Sequence, residues 1–457
     1  MQKIKPYDFQ TRAIKGVLEV LRAKKGNVIL VSPGGSGKTV MMALLVRRLL
    51  KSSKRVLIVT HRRELVWQAV AHLGRVGLAN NKTAVVVPLS ETASLDRQVR
   101  AGTIQTLISR EDFKSADCVV VDECHHVGSK SYDELIAAYP KARIVGLTAT
   151  PFRLDRKGLG DYFNHMVVAA KPSDLIKRGL IMKPVVYAST DDLEEKLSGV
   201  RVLRGEYSPR SLGEILNRKP LIGNIVDHWM KRACGKKTIC FATGVEHAIA
   251  ITKAFVRRGV KSAYIGGEVP RAQREDRIER LRTGEITILV NCMILSEGYD
   301  LPGCECVIGA RPTLSLSLYL QQCARVLRSA PEKSRPVILD HGSNWLRFGL
   351  PEADRDYALQ MGEEEGSGHP PVKVCPVCSC VCMLGCHTCP ECGHAFVDPA
   401  PPEETADELV AITDAEKKDL EKRIRKLLAS KGMDEAIAEK VVEAYVAKKS
   451  EVLCLRP

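Results

Sequence analysis

The sequence contains no long hydrophobic run. Its longest uninterrupted apolar stretch is Val40 to Val46, far short of the roughly 18 residues needed to cross a bilayer. The first residues, Met1 to Asp8, do not include the apolar core of a secretory leader. We therefore expect no membrane partner and a cytoplasmic protein.

Internal repeats and long low-complexity tracts are also missing, and acidic residues are in the minority. The chain has 54 Asp and Glu against 69 Lys and Arg, a formal net charge of +15. Such a balance favours a polyanionic partner, because each neutralised phosphate releases a condensed counterion. A solvated surface with a basic bias explains the charge equally well. The length of 457 residues excludes a small stapled scaffold and suggests two or three domains.

Short β-branched runs alternate with helical patterns along most of the chain, which predicts parallel sheets joined by helical crossovers. The predicted strands cover residues 28–31, 56–60, 84–87, 118–121, 144–148, 238–241, 262–265, 286–290, 307–309 and 337–339. We predict an α/β fold with a first domain over 1–190, a linker over 191–219 and a second domain over 220–360. A capping box at residues 413–416 and two apolar stripes predict a helical hairpin over 408–453.

Seven of the 16 cysteines lie between Cys375 and Cys392, which indicates metal binding rather than disulfides in a reducing compartment. Cys375 and Cys378 form one C-x₂-C knuckle, and Cys389 and Cys392 form a second. Their spacing suits a tetrahedral Zn²⁺ site, so we predict a structural zinc ribbon over 372–397, appended to the rest of the chain. Four readings stay open: a swapped ligand, a two-metal cluster, an iron–sulfur cluster or free thiols. The other potential ligands are Cys380, Cys382, Cys386, His387 and His394.

Residues 32–39, Ser-Pro-Gly-Gly-Ser-Gly-Lys-Thr, follow a predicted strand and open an apolar helix. Glycines in this position let backbone N–H groups wrap a β-phosphate at a helix N-terminus. Lys38 can reach the β- and γ-phosphates, and the Thr39 hydroxyl can hold Mg²⁺. Ser32 stands where the strict pattern has its first glycine. The segment predicts a nucleotide-binding loop.

A second chemical signal follows the strand over 118–121, where Asp122 and Glu123 are adjacent. Ligands bind at the carboxyl ends of strands in open parallel sheets. Asp122 is therefore placed to hold Mg²⁺, and Glu123 is placed to orient and deprotonate an attacking water.

These residues carry a family resemblance. Asp122-Glu-Cys-His and residues 148–151, Thr-Ala-Thr-Pro, resemble motifs II and III of superfamily 2 helicases, the DEAD/DEAH-like class. The remaining motifs appear in order. Phe9-Gln10 resembles the adenine-reading Q-motif, and further segments resemble motifs Ia (60–65), Ib (102–106), IV (238–242), V (295–302) and VI (321–328).

The resemblance implies two RecA-like domains with ATP in the cleft between them. It assigns Lys38, Glu123, Arg325 and Arg328 to catalysis, the two arginines as fingers that neutralise charge on the γ-phosphoryl group. Ala324 replaces the glycine usual before the first finger, from which we expect tuned rather than lost activity. Further roles are implied by matching positions. ATP and Mg²⁺ are bound by Gln10, Gly34, Gly35, Gly37, Lys38, Thr39, Asp122, Gly298 and Asp300, and the nucleic-acid backbone by Arg62, Thr103, Gln105 and Ala242.

The motif set followed by a four-cysteine knuckle, together with residues 167–186, is similar to the RadD-like branch of bacterial and phage helicase-related proteins. That branch implies an ATP-dependent helicase or translocase on single-stranded or junction DNA, working with repair, recombination or replication proteins in a bacterial or phage-infected cell. Two alternatives stay open. An RNA helicase has the same motifs, and an ATP-gated clamp needs no strand-separating element, none of which is recognisable in the sequence.

Overall fold

The structure is a computed structural model. It describes residues 5–396 apart from gaps at 24–25, 53, 79–82, 87–97, 110–114, 153–156, 190–192, 204, 296–300, 302 and 361–367, and it also describes Lys422. The described residues up to Phe396 belong to one compact unit. The predicted helical hairpin over 408–453 lies outside the described residues, with Lys422 the one exception. No helix among the described residues is long and apolar enough to cross a membrane.

The first sheet is built from apolar, β-branched strands that alternate with helices. The elements are α1 (Asp8–Arg22), β1 (Val28–Val31), α2 (Lys38–Leu50), β2 (Val56–Thr60), α3 (Arg63–Arg75), β3 (Thr83–Val86), β4 (Val99–Thr103), α4 (Ile104–Ile108), β5 (Cys118–Asp122), α5 (Lys130–Ala138), β6 (Arg143–Thr148) and β7 (His165–Val168). Seven parallel strands lie in the order β3-β4-β2-β5-β6-β1-β7. Both faces are covered by helices, as parallel sheets require.

The second sheet repeats the plan. Its elements are α6 (Pro172–Lys177), β8 (Val185–Ala188), α7 (Leu193–Leu197), β9 (Val202–Leu203), β10 (Glu206–Tyr207), α8 (Pro209–Leu216), α9 (Lys219–Arg232), β11 (Thr238–Phe241), α10 (Val245–Arg257), β12 (Ser262–Ile265), α11 (Arg271–Thr283), β13 (Ile288–Asn291), β14 (Cys306–Gly309), α12 (Leu316–Leu327), β15 (Val337–Asp340) and α13 (Asn344–Phe348). Six parallel strands lie in the order β12-β13-β11-β14-β15-β8. The prediction of two tandem RecA-like sheets is confirmed.

Strand β8 precedes residue 190 but pairs with β15 in the second sheet, Val185 opposite Val337. The predicted boundary at residue 190 therefore falls after a strand that the second sheet uses.

The segment predicted as a linker over 191–219 is folded where it is described. Helices α7 and α8 flank the antiparallel hairpin β9–β10, and together they bury a small apolar cluster of their own. The cluster consists of Leu193, Leu197, Val200, Tyr207, Leu212 and Leu216. We call this folded segment the insert. The polar character of the sequence hid this cluster, because its few apolar residues follow neither the helical nor the strand period for long.

The cysteine-rich segment contains two short antiparallel strands, β16 (Val372–Val374) and β17 (Val381–Met383). It is not appended. Backbone N–H of Ala188 donates to the carbonyl of Ser379 at 2.9 Å, and Arg232 Nη2 donates to the carbonyl of Cys378 at 2.8 Å. The hydroxyl of Tyr187 bonds to Glu391 Oε1 at 3.1 Å. The segment thus covers the β8 edge of the second sheet, which corrects the expectation of an appended module.

Candidate active site

The loop after β1 has the geometry of a phosphate cradle. Gly35 and Gly37 adopt φ values of +85° and +81°, which side chains other than glycine rarely tolerate. Gly37 caps α2, so the first helical residues are Lys38 and Thr39. Free N–H groups at a helix start favour anions. Ser32, which replaces the usual first glycine, is fully buried, and its Oγ lies 2.6 Å from the Oγ of Ser36. The serine therefore braces the loop.

Two carboxylates meet Lys38 at the end of β5. Lys38 Nζ forms an ion pair with Glu123 Oε1 and lies 4.0 Å from Asp122 Oδ1. Burial acts to lower the pKa of Lys38, but the charges of Glu123 and Asp122 outweigh it and raise that pKa. Lys38 is therefore a protonated ammonium. Burial raises the pKa of Asp122, against the charge of Lys38, so a cation beside this carboxylate would stabilise its ionised form.

The backbone of Glu123 is in the left-handed region, with φ of +51°. A non-glycine residue held there is strained, and such strain concentrates at functional sites. The conformation ends β5 at Asp122 and starts a tight turn, Cys124–His126. It turns the Glu123 carboxylate back towards Lys38.

A polar chain runs from Glu123 towards the second sheet. His125 Nδ1 lies 3.4 Å from Glu123 Oε2 and 3.3 Å from Thr148 Oγ1. The hydroxyl of Thr148 donates to the carbonyl of Thr150 at 2.8 Å, and the hydroxyl of Thr150 donates to Ser317 Oγ at 2.7 Å. Ser317 lies on α12 and is buried. The carboxylate is thereby linked to the helix that carries Arg325.

Helix α12 packs directly on the phosphate loop. A Cβ on Gly34 would lie 2.4 Å from the Cβ of Ala324, and one on Gly35 would lie 2.8 Å from Ile181 Cγ2 and 3.4 Å from Arg328 Cγ. Close approach of Ala324 and Ile181 thus favours glycine at both positions, and the positive φ is a second reason at Gly35.

One cavity of about 440 Å³ lies at this contact and is lined from both sides. Lys38, Asp122 and Glu123 line it from the first sheet, and Arg325 and Arg328 line it from the second. Arg325 lies in the last turn of α12, whereas Arg328 follows the helix in an extended conformation. A spacing of three residues would place both arginines on one face only if the helix continued to Arg328, and it ends at Leu327. They reach the same cavity because the chain turns at the helix end, not because of helical spacing.

Among the other predicted ATP-binding residues, Gln10 contacts the phosphate loop. Gln10 Nε2 donates to the carbonyl of Ser36 at 2.9 Å, and its Oε1 accepts from the backbone of Tyr7 at 3.1 Å. Gln10 therefore holds the phosphate loop through the Ser36 carbonyl. Its role in binding adenine stays a prediction. Thr39 lines the cavity. Gly298 and Asp300 lie outside the described residues.

The four predicted nucleic-acid contacts differ in exposure. Gln105 is exposed, Arg62 donates through Nη1 to the carbonyl of Ile294 at 3.2 Å, and Thr103 is buried with its hydroxyl 3.0 Å from that of Thr106. Ala242 is 1% exposed. All four follow the carboxyl ends of strands β2, β4 and β11 or lie at their last residue. Their contact with nucleic acid stays a prediction.

The four knuckle cysteines converge as predicted. The Sγ atoms of Cys375, Cys378, Cys389 and Cys392 all lie within 4.8 Å of one another. Cys375 and Cys392 are 3.6 Å apart, as are Cys378 and Cys389. Tetrahedral Zn²⁺ with Zn–S bonds of about 2.3 Å requires S–S separations of about 3.8 Å, so this arrangement fits the ion.

A second cluster of cysteine side chains lies beside the first and shares Cys389 with it. Cys380, Cys382 and Cys389 have Sγ atoms within 4.8 Å of one another. Cys386, His387 and His394, which the sequence also offered as ligands, belong to neither group among the described residues. Because Cys389 belongs to both clusters, the geometry is compatible with the alternative of a two-metal cluster.

Sequence reasoning missed Ser317, Ile181 and the role of His125. The signal for His125 was present, since it directly follows Asp-Glu-Cys, but its partners Thr148 and Glu123 become visible only in three dimensions. Ser317 and Ile181 contact loops of the first domain that are far from them in sequence. No local sequence pattern specifies such contacts.

Comparison with known proteins matches this architecture. Residues 3–153 match the family described as "Type III restriction enzyme, res subunit", and residues 220–330 match "Helicase conserved C-terminal domain". The chain belongs to the superfamily 2 helicases, as the motifs predicted, and is an ATP-hydrolysing enzyme of that superfamily.

Relatives in phage and yeast extend the match. A 51.5 kDa protein of Lactococcus phage (isolate 7-9) is 30% identical over 369 residues, covering 80% of this chain and 77% of the phage protein. IRC3 of Saccharomyces cerevisiae, named for ATP-dependent helicase activity, is 26% identical over 352 residues, covering 73% of this chain and 51% of the yeast protein. The chain thus spans about half of that relative.

A solved structure shares the fold. It is the ATP-dependent type ISP restriction-modification enzyme LlaBIII bound to DNA, with a TM-score of 0.55 and 17% identity. The likeness covers 74% of this chain and 28% of that one.

Proposed function

We propose that the protein is a DNA-stimulated ATPase that couples ATP hydrolysis to translocation or unwinding of DNA, in repair or recombination. One observation carries this proposal: Lys38 and Glu123 from the first sheet line the same cavity as Arg325 and Arg328 from the second. A site completed only by both sheets makes hydrolysis depend on their relative position, and a strand held across both can then be moved.

The ion pair between Lys38 and Glu123 suggests how nucleotide activates the site. The triphosphate of ATP competes for the Lys38 ammonium, which releases the Glu123 carboxylate to accept a proton from the attacking water. Arg325 and Arg328 then offset the charge that develops on the γ-phosphoryl group. Mg²⁺, held through Thr39 and Asp122, would neutralise the β- and γ-phosphates.

The proposal takes DNA as the nucleic acid because residues 3–153 match a restriction-enzyme subunit, and restriction enzymes act on DNA. The net charge of +15 supports a nucleic-acid partner of either kind. The relative from a lactococcal phage supports a bacterial or phage-infected cell as the place of action, and hence its cytoplasm. Repair and recombination proteins are the partners this proposal implies.

We assign Zn²⁺ to the four convergent cysteines as a structural ion. The short ribbon has few apolar residues, and such modules usually depend on metal for folding. Because the ribbon covers β8, the ion would stabilise the edge of the second sheet.

Steady-state ATP hydrolysis tests the proposal, measured without nucleic acid and with single-stranded DNA, duplex DNA and RNA. Selective stimulation by DNA is the expected result, and Lys38→Ala is the inactive control. Stimulation mainly by RNA would indicate an RNA helicase with the same fold. Normal DNA stimulation without strand displacement on forked, tailed or blunt duplexes would exclude unwinding and favour the alternative of an ATP-gated clamp.

A further inference from the structure

Exposed apolar side chains follow the carboxyl edge of the second sheet. Met293 lies two residues after the end of β13 and is 46% exposed. Val245, which begins α10 after β11, is 40% exposed. Leu346, on α13 after β15, is 46% exposed. These strands are near neighbours in the order β13-β11-β14-β15. Single exposed aliphatic residues are ordinary, but their succession along the edge predicted to hold nucleic acid is not explained by folding.

The β9–β10 hairpin presents two more such residues. Val202 and Leu203 are 50% and 45% exposed. Successive strand residues face opposite sides, so exposure of both means that neither side of the hairpin is packed near its turn. At the base, Val200 and Tyr207 are buried in the insert's own cluster. The hairpin is therefore packed at its base and carries two exposed aliphatic side chains on β9.

Polar contacts fix this hairpin to the same sheet edge. Glu206 accepts hydrogen bonds from the Thr313 hydroxyl and, at 3.0 Å, from the backbone N–H of Leu314. Both partners follow the carboxyl end of β14. Arg347 on α13 lies 3.4 Å from the hydroxyl of Tyr207. The hairpin thus stands over the β14–β15 part of the edge, at one end of the row that Met293 and Val245 begin.

The first sheet reaches the opposite end of this row. Arg62, a predicted phosphate contact, donates to the carbonyl of Ile294, the residue after Met293. A DNA strand bound at Arg62, after the end of β2, would next contact Met293 and Val245 and then the hairpin. Arg201, exposed at the hairpin's base, supplies positive charge for the backbone there.

We infer that Val202 and Leu203 form a wedge that contacts the bases at the end of a DNA duplex. Aliphatic side chains inserted between base steps unstack the bases, as in proteins that kink DNA. The row from Met293 to the hairpin guides the separated strand, whose bases lie on apolar side chains while its phosphates face Arg62 and Arg201. This inference rests on the proposed action on DNA, and it supplies the strand-separating element that the sequence did not reveal.

A forked duplex with 2-aminopurine in its first base pair tests the wedge. Fluorescence is read at saturating full-length protein and a non-hydrolysable ATP analogue, so no turnover or strand displacement is needed. Wild-type protein should raise the fluorescence about twofold or more, because the base is unstacked. The double variant Val202→Ser/Leu203→Ser should lose that rise. Val256→Ser, at the far end of α10 and 54% exposed, is the matched control and should behave as wild type.

DNA affinity and DNA-stimulated ATP hydrolysis are measured on the same proteins. These measurements distinguish failure of the wedge from failure of the proposed function. The double variant should keep both within about threefold of wild type, since its changes lie outside the ATP cavity. No fluorescence rise with wild type, or an equal rise with the double variant, overturns the wedge alone. Absence of any DNA stimulation in wild type overturns the proposed function instead.

Discussion

Ala324 of α12 and Gly34 of the phosphate loop are in direct contact, although they belong to different RecA-like domains. A methyl group on Gly34 would lie 2.4 Å from the Ala324 Cβ, but the Ala324 Cα would be 3.7 Å away. The first distance is a severe overlap and the second is ordinary contact. The alanine that departs from the helicase pattern therefore fills the space above Gly34.

This contact predicts a pair of compensating substitutions. Gly34→Ala should lower ATP turnover about tenfold or more, because the loop and α12 can no longer meet and Arg325 is displaced. Adding Ala324→Gly should restore much of that loss, since only the 3.7 Å contact remains. Turnover is measured at saturating ATP and DNA for the two single variants and the double variant. If Gly34→Ala acts only by crowding the phosphates, the double variant will be no better than the single one.

Glu123→Gln tests the assignment of the general base. The amide cannot take a proton from water, so turnover should fall by about 10²- to 10⁴-fold. Binding of ATP should persist, because the loop and Lys38 are intact, and the nucleotide-bound protein should hold DNA longer. Single-turnover hydrolysis and equilibrium nucleotide binding separate the two effects. Wild-type turnover in this variant would refute the role.

Loss of one zinc ligand should weaken the second sheet as well as the ribbon. In Cys392→Ser the bound zinc should fall from about one ion per chain towards none, and the melting temperature should drop by several degrees. ATP hydrolysis should fall too, because Ser379 and Glu391 of the ribbon bond to β8. Cys234→Ser, at an exposed cysteine, is the control. Zinc loss with unchanged melting and turnover would mean that the ribbon is an independent module.

His247 makes stability depend on pH. Burial lowers the pKa of His247 from 6.5 to about 4. The unfolded chain therefore binds the proton more tightly, and the stability contributed by neutral His247 is present above pH 6.5 and is lost as pH falls to about 4. Between those limits the wild type should lose up to about 3 kcal/mol more than His247→Gln. Urea unfolding at several pH values measures this, and parallel curves for both proteins would exclude His247 as the source.

The sequence predicted the strands that carry the chemical motifs well, because each motif follows an apolar strand. Pattern and chemistry agreed at β1, β5 and β11, which lie where they were expected within a residue. Strand β4 was missed because Arg100 interrupts its apolar run. That residue is only 2% exposed, and its guanidinium bonds to the carbonyl of Ser115. A buried cation with a distant partner cannot be read from local pattern.

Contacts between segments far apart in the chain could not be predicted from the sequence for a related reason. The pairing of β8 with β15, the packing of the ribbon on β8 and the bond from Thr150 to Ser317 all join residues far apart in the chain. Nothing in hydrophobic periodicity specifies such partners. The position of Arg328 shows the same limit, because the end of α12 at Leu327 decides where that side chain lies.

We propose that both RecA-like domains build one hydrolytic site, and replacing Arg325 or Arg328 tests this proposal most directly. ATP turnover at saturating ATP and DNA is compared for wild type, Arg325→Ala and Arg328→Ala, with fluorescent-nucleotide binding measured alongside. Turnover should fall by about 10³-fold or more in at least one variant, with nucleotide affinity changed far less. Turnover within about tenfold of wild type in both variants would contradict the shared site.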